Sequence, residues 1–223
     1  MANMTAISVG EEIPKTMSLA LSDSGVISLL EVLKLSDEEA YIHSLEVGKI
    51  VALVLEEMGK KDSPEFCAEM AVEIVKGALL SDIGKAFLPF GIQHSSVGLD
   101  ACLLEVVKMH PILGHIAVRD GSFSEVVKNI VLYHHVSGDG SGYPRNMTTG
   151  EPMTDENTPS YVWIVGYADR FDAMTGERKF KSSLSYKQAW DELNLLRQKK
   201  VLPYRYAKYF HKVIKKLDIF NEV

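Results

Sequence analysis

Cysteine is almost missing. Cys67 and Cys102 are the only two in 223 residues, and neither belongs to a CxxC pair. That argues against a thiolate metal site and against a disulfide framework, and it fits a reducing cytosol. Long hydrophobic runs are missing too. No stretch approaches the roughly 20 consecutive apolar residues of a spanning helix. The start, MANMTAISVGEEIP, lacks the basic and apolar regions of a signal peptide. There is no basic excess either. A net charge of −6 argues against a dedicated DNA or RNA binder, whose surface would be positive. It leaves room for an anionic small ligand held by a few local cations. Repeats and low-complexity segments are also absent, so the expectation is a cytoplasmic globular chain with no membrane segment.

What is present is ample material for a core. Hydrophobic residues make up 46% and charged residues 24%, the balance of one large domain, or one domain with an extension. Apolar spacing predicts helices nearly throughout. Val26, Leu29, Leu30 and Leu33 share one face over residues 25–35. Ser36 and Glu39 stand in capping-box positions before a helix that carries Ile42, Val47, Ile50, Val51 and Val54 and stops near Gly59. Ser63 and Pro64 are read as N-cap and first residue of a helix reaching about Leu80. Further helices are expected over 99–109, broken by Pro111, and from a second capping-box pair, Ser122 and Glu125, to His135. Two more are placed near 185–198 and 203–217. The stretch SYVWIVGYADRFDAM has β-branched residues that suit a strand, but it runs to Met174 without a turn signal and is read as a buried helix. The expected class is all-α, with one long Gly/Pro-rich loop, VSGDGSGYPRNMTTGEPMTDENTP.

Seven histidines stand at 43, 94, 110, 115, 134, 135 and 211. A lone histidine is more often structural, and His94, His115 and His211 are read that way. His134 and His135 are adjacent and end a helix before the glycine-rich loop. His43 follows Glu39 by four residues on one helix face. His110 precedes Pro111. Asp82 and Asp169 interrupt apolar segments, where a carboxylate needs a cation or strong donors. Imidazole with carboxylate, and no thiolate, suits Mn, Fe, Zn or similar metals. Plain structural roles account for each residue singly. Glu39 would partner Ser36, His134 would face a helix C-terminus, and Asp169 would pair with Arg170 or Arg178.

The run HHVSGDGSGYP, His134 to Pro144, resembles the signature of HD-GYP domains, the bacterial cyclic-di-GMP phosphodiesterases of the HD metallohydrolase superfamily. The family pattern is HHE, two residues, then DGxGYP, and this chain has Val136 in place of the glutamate. HSLEV at 43–47 resembles the first-histidine helix, and MHPILG at 109–114 the HP..G element. YADRFDAMTGERKFK at 167–181 resembles VADVYDALTSRRPYR, retaining Asp169, Phe171 (an aromatic where the pattern has tyrosine), Asp172, Ala173 and Arg178. SDIGK at 81–85 falls where the family has HDIGK. The likeness covers about residues 37–217. Residues 1–36 are left as a helical extension or the tail of a regulatory region, and 37–223 as the HD-GYP-like domain.

The resemblance implies an HD-type helical bundle that hydrolyses cyclic-di-GMP to linear pGpG, and onward to GMP, in second-messenger signalling. It implies two or three divalent ions, Fe or Mn, held by His43, Asp82, His110, His134, His135 and Asp169, with Glu39 serving where a third ion binds. Asp82 would bridge two ions. Lys85, presented by a turn at Gly84, would contact phosphate or the attacking water. Arg178 and Lys181 would hold the other phosphate, and Tyr143 would shape the pocket. Beyond cyclic-di-GMP, the implied partner is a signalling protein or a fused sensor domain. Ser81 replaces the histidine that names the HD motif, and a serine hydroxyl is a poor ligand beside imidazole. An alternative therefore stands beside the enzyme: a degenerate module that binds cyclic-di-GMP or a partner without efficient hydrolysis. An HD phosphohydrolase acting on another nucleotide is a third reading, opposed by the intact GYP loop.

Overall fold

Among the residues that the computed structural model describes (13–60, 65–93, 100–176 and 182–221), the regular structure is entirely helical. In chain order the helices are α1 (Lys15–Ala20), α2 (Ser24–Ser36), α3 (Glu38–Gly59), α4 (Ala68–Leu80), α5 (Phe90–Gln93) and α6 (Ala101–Val107). They continue with α7 (His110–Arg119), α8 (Glu125–Tyr133), α9 (Ser160–Thr175), α10 (Tyr186–Gln198) and α11 (Ala207–Asn221). Short 3-10 segments cover Ile83–Phe87 and Tyr204–Tyr206.

Helix α3 is the spine. It buries Val47, Ile50, Val51, Val54 and Met58, and it packs against α2, α4, α9 and α11. The segment read as strand or helix is α9, whose Trp163, Tyr167 and Phe171 are almost fully buried. A helix apolar on most of its circumference belongs in the centre of a bundle. Helices α1 and α2 insert Met17, Val26, Leu30 and Leu33 into the same core as the helices after residue 37. Lys212 and Lys216 of α11 reach Glu57 of α3 at 3.2 and 2.8 Å.

Several local expectations change. Asp37, not Ser36, caps α3: its carboxylate accepts from the Ala40 amide, while the Ser36 hydroxyl donates back to the Val32 carbonyl. The expected capping box of Ser36 and Glu39 therefore does not form. Ser63 and Pro64 lie outside the described residues, and α4 begins only at Ala68. Ser124, not Ser122, caps α8. Pro111 opens α7 rather than breaking a helix, because a proline in the first turn has no hydrogen bond to lose. His110 thus begins a helix.

Gly84 is not a turn glycine. It sits within the first 3-10 segment, and a β-carbon there would stand 1.8 Å from the His110 carbonyl oxygen. The missing side chain lets the segment carrying Asp82 and Lys85 lie directly on the start of α7. Close approach, rather than an unusual backbone angle, is what glycine supplies here. The stretch Ala101–Arg119 is long and apolar enough, by length and composition alone, to cross a membrane. In this fold it is two helices meeting at a turn, and its His110 enters the site described next.

Candidate metal centre

Three helix ends and the flanks of two further helices converge on Asp82. The Ser81–Asp82 pair follows α4, His110 starts α7, His134 and His135 follow α8, His43 lies within α3, and Asp169 lies within α9. Asp82 is 1% exposed, as is His134. Two sets of donors share the aspartate. Asp82, His110, His134 and His135 form one, and His43, Asp82 and Asp169 the other, each with its ligand atoms within 4.8 Å of one another.

Hydrogen bonding fixes which nitrogen each imidazole offers. Nδ1 of His110 lies 2.8 Å from the Val107 carbonyl, and Nδ1 of His134 lies 3.0 Å from that of Val131. A carbonyl can only accept, so both Nδ1 atoms carry the proton, and neutral rings present a lone pair at Nε2. Those two Nε2 atoms stand 3.3 Å apart. Asp82 Oδ1 lies 3.2 Å from the first and 3.9 Å from the second, yet it has no hydrogen-bond partner. Three electron-rich atoms facing one another in a buried space repel unless a cation lies among them. The donor chemistry therefore fits a divalent ion. Burial and the neighbouring His110 push the His134 imidazole down to about 4, so it is neutral at pH 7. His135 is likewise held well below the ordinary range by burial and by His134.

The second set is arranged differently. His43 Nε2 faces Asp169 Oδ1 at 3.0 Å and Asp82 Oδ2 at 3.5 Å, and its Nδ1 meets Asp172 Oδ2 at 2.6 Å. Burial disfavours the imidazolium, but Asp169, Asp172 and Asp82 outweigh it and raise the pKa to about 9. Burial also opposes ionisation of Asp82 and Asp169. Lys85 and the protonated His43 hold the Asp82 carboxyl well below its usual range, and His43 does the same for Asp169. Lys85 Nζ donates to Asp82 Oδ2 at 2.6 Å.

A pH dependence follows. In the metal-free protein, proton binding by His43 stabilises the fold fully below the unfolded-state value near 6.5. That stabilisation is lost as pH rises through about 9. A cation taken up at Nε2 must displace this proton. Metal uptake at pH 7.5 should therefore release protons, and affinity on this side should weaken by up to about tenfold per unit of pH below 9. Calorimetric metal titrations in buffers of different ionisation heat would read this. Identical heats in all buffers would mean that His43 gives up no proton.

The loop after His135 closes one wall. Gly140 has φ +79°, and Asp139 accepts from the Ser141 amide and hydroxyl. A β-carbon on Gly142 would lie 2.4 Å from the Ser137 nitrogen, so only glycine lets the chain double back there. The Tyr143–Pro144 peptide is cis. The Tyr143 ring packs 4.9 Å from that of His135 and borders a cavity of about 510 Å³. Lys108, His135, Asp169, Arg170 and Met174 also line it.

Of the residues singled out in the sequence, His43, Asp82, His110, His134, His135 and Asp169 meet here, with Lys85 against Asp82 and Tyr143 on the cavity wall. Glu39 is exposed at the start of α3 and belongs to neither donor set. Asp169 pairs with His43 and His135, not with Arg170. Arg178 and Lys181 lie outside the described residues, as does His94. Ser81 is buried, and its hydroxyl donates to the Ala78 carbonyl at 2.9 Å. Sequence reasoning missed Asp172, which fixes His43 from its far nitrogen. Its place three residues after Asp169, on the same helical face, was the available signal.

The helical bundle and the buried histidine–aspartate cluster define a protein suited to divalent ions. A family model for the HD domain matches residues 40–174, and the chain belongs to the HD domain family. The cyclic di-GMP phosphodiesterase of Thermotoga maritima is 32% identical over 184 residues, covering 80% of this chain and 47% of that protein. The cyclic di-GMP phosphodiesterase response regulator RpfG of Xanthomonas campestris pv. campestris is 32% identical over 146 residues, covering 65% of this chain and 34% of that one. The chain thus spans about half or less of the length of these relatives. Among solved structures, the HD domain of L. monocytogenes phosphodiesterase PgpH in complex with cyclic-di-AMP superposes with a TM-score of 0.62 at 13% identity, covering 88% of this chain and 98% of that one. Bd1817, an HDG"Y"P protein from Bdellovibrio bacteriovorus, gives 0.59 at 17% identity, covering 94% and 74%. These likenesses show the fold.

Proposed function

We propose that this chain is a metal-dependent phosphodiesterase that opens cyclic-di-GMP to linear pGpG, with GMP as a further product. The single observation that carries the reading is Asp82. Its buried carboxylate faces two imidazole lone pairs on one side and the His43–Asp169 pair on the other. The relatives from Thermotoga maritima and Xanthomonas campestris, both named cyclic di-GMP phosphodiesterases, support the same substrate class. Asp82, His110, His134 and His135 would hold one divalent ion, and His43, Asp82 and Asp169 a second, with iron or manganese suited to such donors. When bound, such ions supply an activated water and neutralise phosphoryl charge.

The chain's own groups do the rest. Asp82 ties the two halves together. Asp172 holds His43 by Nδ1 and turns Nε2 toward the cluster. Lys85 places a positive charge beside Asp82, where a phosphate oxygen would approach. Tyr143 and the GYP loop wall the cavity beside His135. Arg178 and Lys181 are proposed for the second phosphate, and the setting is proposed to be cytoplasmic signalling.

One observation favours a second reading, a module that binds cyclic-di-GMP or a partner with little hydrolysis. The Ser81 hydroxyl is turned to its own helix, so the His43 side has three donor residues against four on the other. Elemental analysis of the purified chain, with chromatography of its products from cyclic-di-GMP, separates the two. Steady formation of pGpG supports the enzyme. Tight binding of intact cyclic-di-GMP by metal-loaded protein, without product, supports the module.

A further inference from the structure

The cavity beside the cluster contains a cation for which the catalytic reading has no use. Arg170 follows Asp169 on α9, is half-buried, and lines the cavity. Its guanidinium donates to the Gly166 carbonyl at 2.9 Å and to the Val136 carbonyl at 3.1 Å. Those bonds fix its plane and use two of five N–H donors. Among the described residues no carboxylate lies within ion-pair distance of it. The neighbouring Asp169 is turned to His43 and His135 instead. In the motifs set out above, position 136 is usually glutamate and position 170 is valine. Here the acid is gone and a cation stands beside its place, bonded to the backbone carbonyls of Val136 and Gly166.

A half-buried guanidinium bonded to two neutral carbonyls has no ion-pair partner among the described residues, and an anionic ligand would supply one. Lys108, also on the cavity wall, is a different case. It is exposed and paired with Glu105 at 2.5 Å. Arg170 is the pre-positioned donor.

We propose that Arg170 receives a phosphate of the ligand: the phosphodiester of a cyclic dinucleotide that does not lie at the metal cluster. This rests on reading the site as one for cyclic dinucleotides. Arg170 is then a binding residue on the rigid flank of α9, additional to the cations expected at 178 and 181. Its fork of donors suits two oxygens of one phosphate.

The test is calorimetric binding to the full metal-loaded chain, comparing wild type with Arg170→Gln and Arg170→Lys. Cyclic-di-GMP, with two phosphates, is set against GMP, with one. Arg170→Gln keeps a donor for the Val136 carbonyl but loses the charge. It should weaken cyclic-di-GMP binding by about 10- to 100-fold, with Arg170→Lys recovering part of the loss. GMP, whose single phosphate goes to the metals, should change by less than about twofold, and metal content should not change. Unchanged cyclic-di-GMP affinity in Arg170→Gln overturns the assignment. An equal loss for both ligands overturns it too, because the residue then acts on the base or on the frame. Failure of the wild type to bind cyclic-di-GMP overturns instead the functional reading beneath it.

Discussion

Asp82→Asn should empty the site while leaving the fold standing. The substitution preserves shape but removes the charge shared by both donor sets, so neither retains its bridging carboxylate. Metal content by elemental analysis should fall for both ions, and any cyclic-di-GMP turnover should drop by about 1,000-fold or more. In the metal-free chain, the change also removes the acceptor facing Lys85 at 2.6 Å and His43 at 3.5 Å. Some loss of thermal stability should follow, because breaking a buried pair leaves the other partner uncompensated. The loss should be smaller at pH 9 than at pH 6, since His43 is half-neutral at the higher pH. Full metal content in Asp82→Asn would remove the bridging role from this residue.

Ser81→His should tighten metal binding on the His43 side. Ser81 is 1% exposed and closes α4 directly before Asp82, so a longer side chain there must enter the interior near the cluster. A fourth donor residue would then match the set on the other side, and affinity should rise by about tenfold or more, with turnover rising alongside. Overpacking of so buried a position would cost stability on the order of 1–3 kcal/mol, which a melting curve would show. Ser81→Ala separates the effects. The serine hydroxyl is bonded to the Ala78 carbonyl, so its removal should leave metal content unchanged. A loss of metal in Ser81→Ala would make the hydroxyl a ligand after all. No gain in Ser81→His would place residue 81 out of reach of the ions.

Local chemistry was well encoded and local boundaries less so. Asp37 takes the cap expected of Ser36, and Ser124 that expected of Ser122, because several residues able to cap lie close together. Only the packing of the bundle selects which one meets an open amide. Pro111 reads equally as the end of one helix or the start of the next, and the sequence alone does not discriminate.

The sequence by itself determined the helical class, through apolar spacing, and the residue types of the centre. Histidines and aspartates set into apolar segments need partners wherever the chain takes them. It also carried the vacancy at Ser81 and the loop motif at His134–Pro144. Tertiary structure decided the pairing. His43 and Asp169 are 126 positions apart and meet at 3.0 Å because α3 and α9 pack side by side. It excluded Glu39 from both donor sets, gave Asp172 a role, turned Gly84 from a turn into a point of close approach, and put Arg170 on the cavity wall with no carboxylate at ion-pair distance among the described residues. The physical reason is one of range. Helical periodicity acts over a few residues, whereas a buried charge is satisfied by whatever the folded bundle brings within a few ångströms of it.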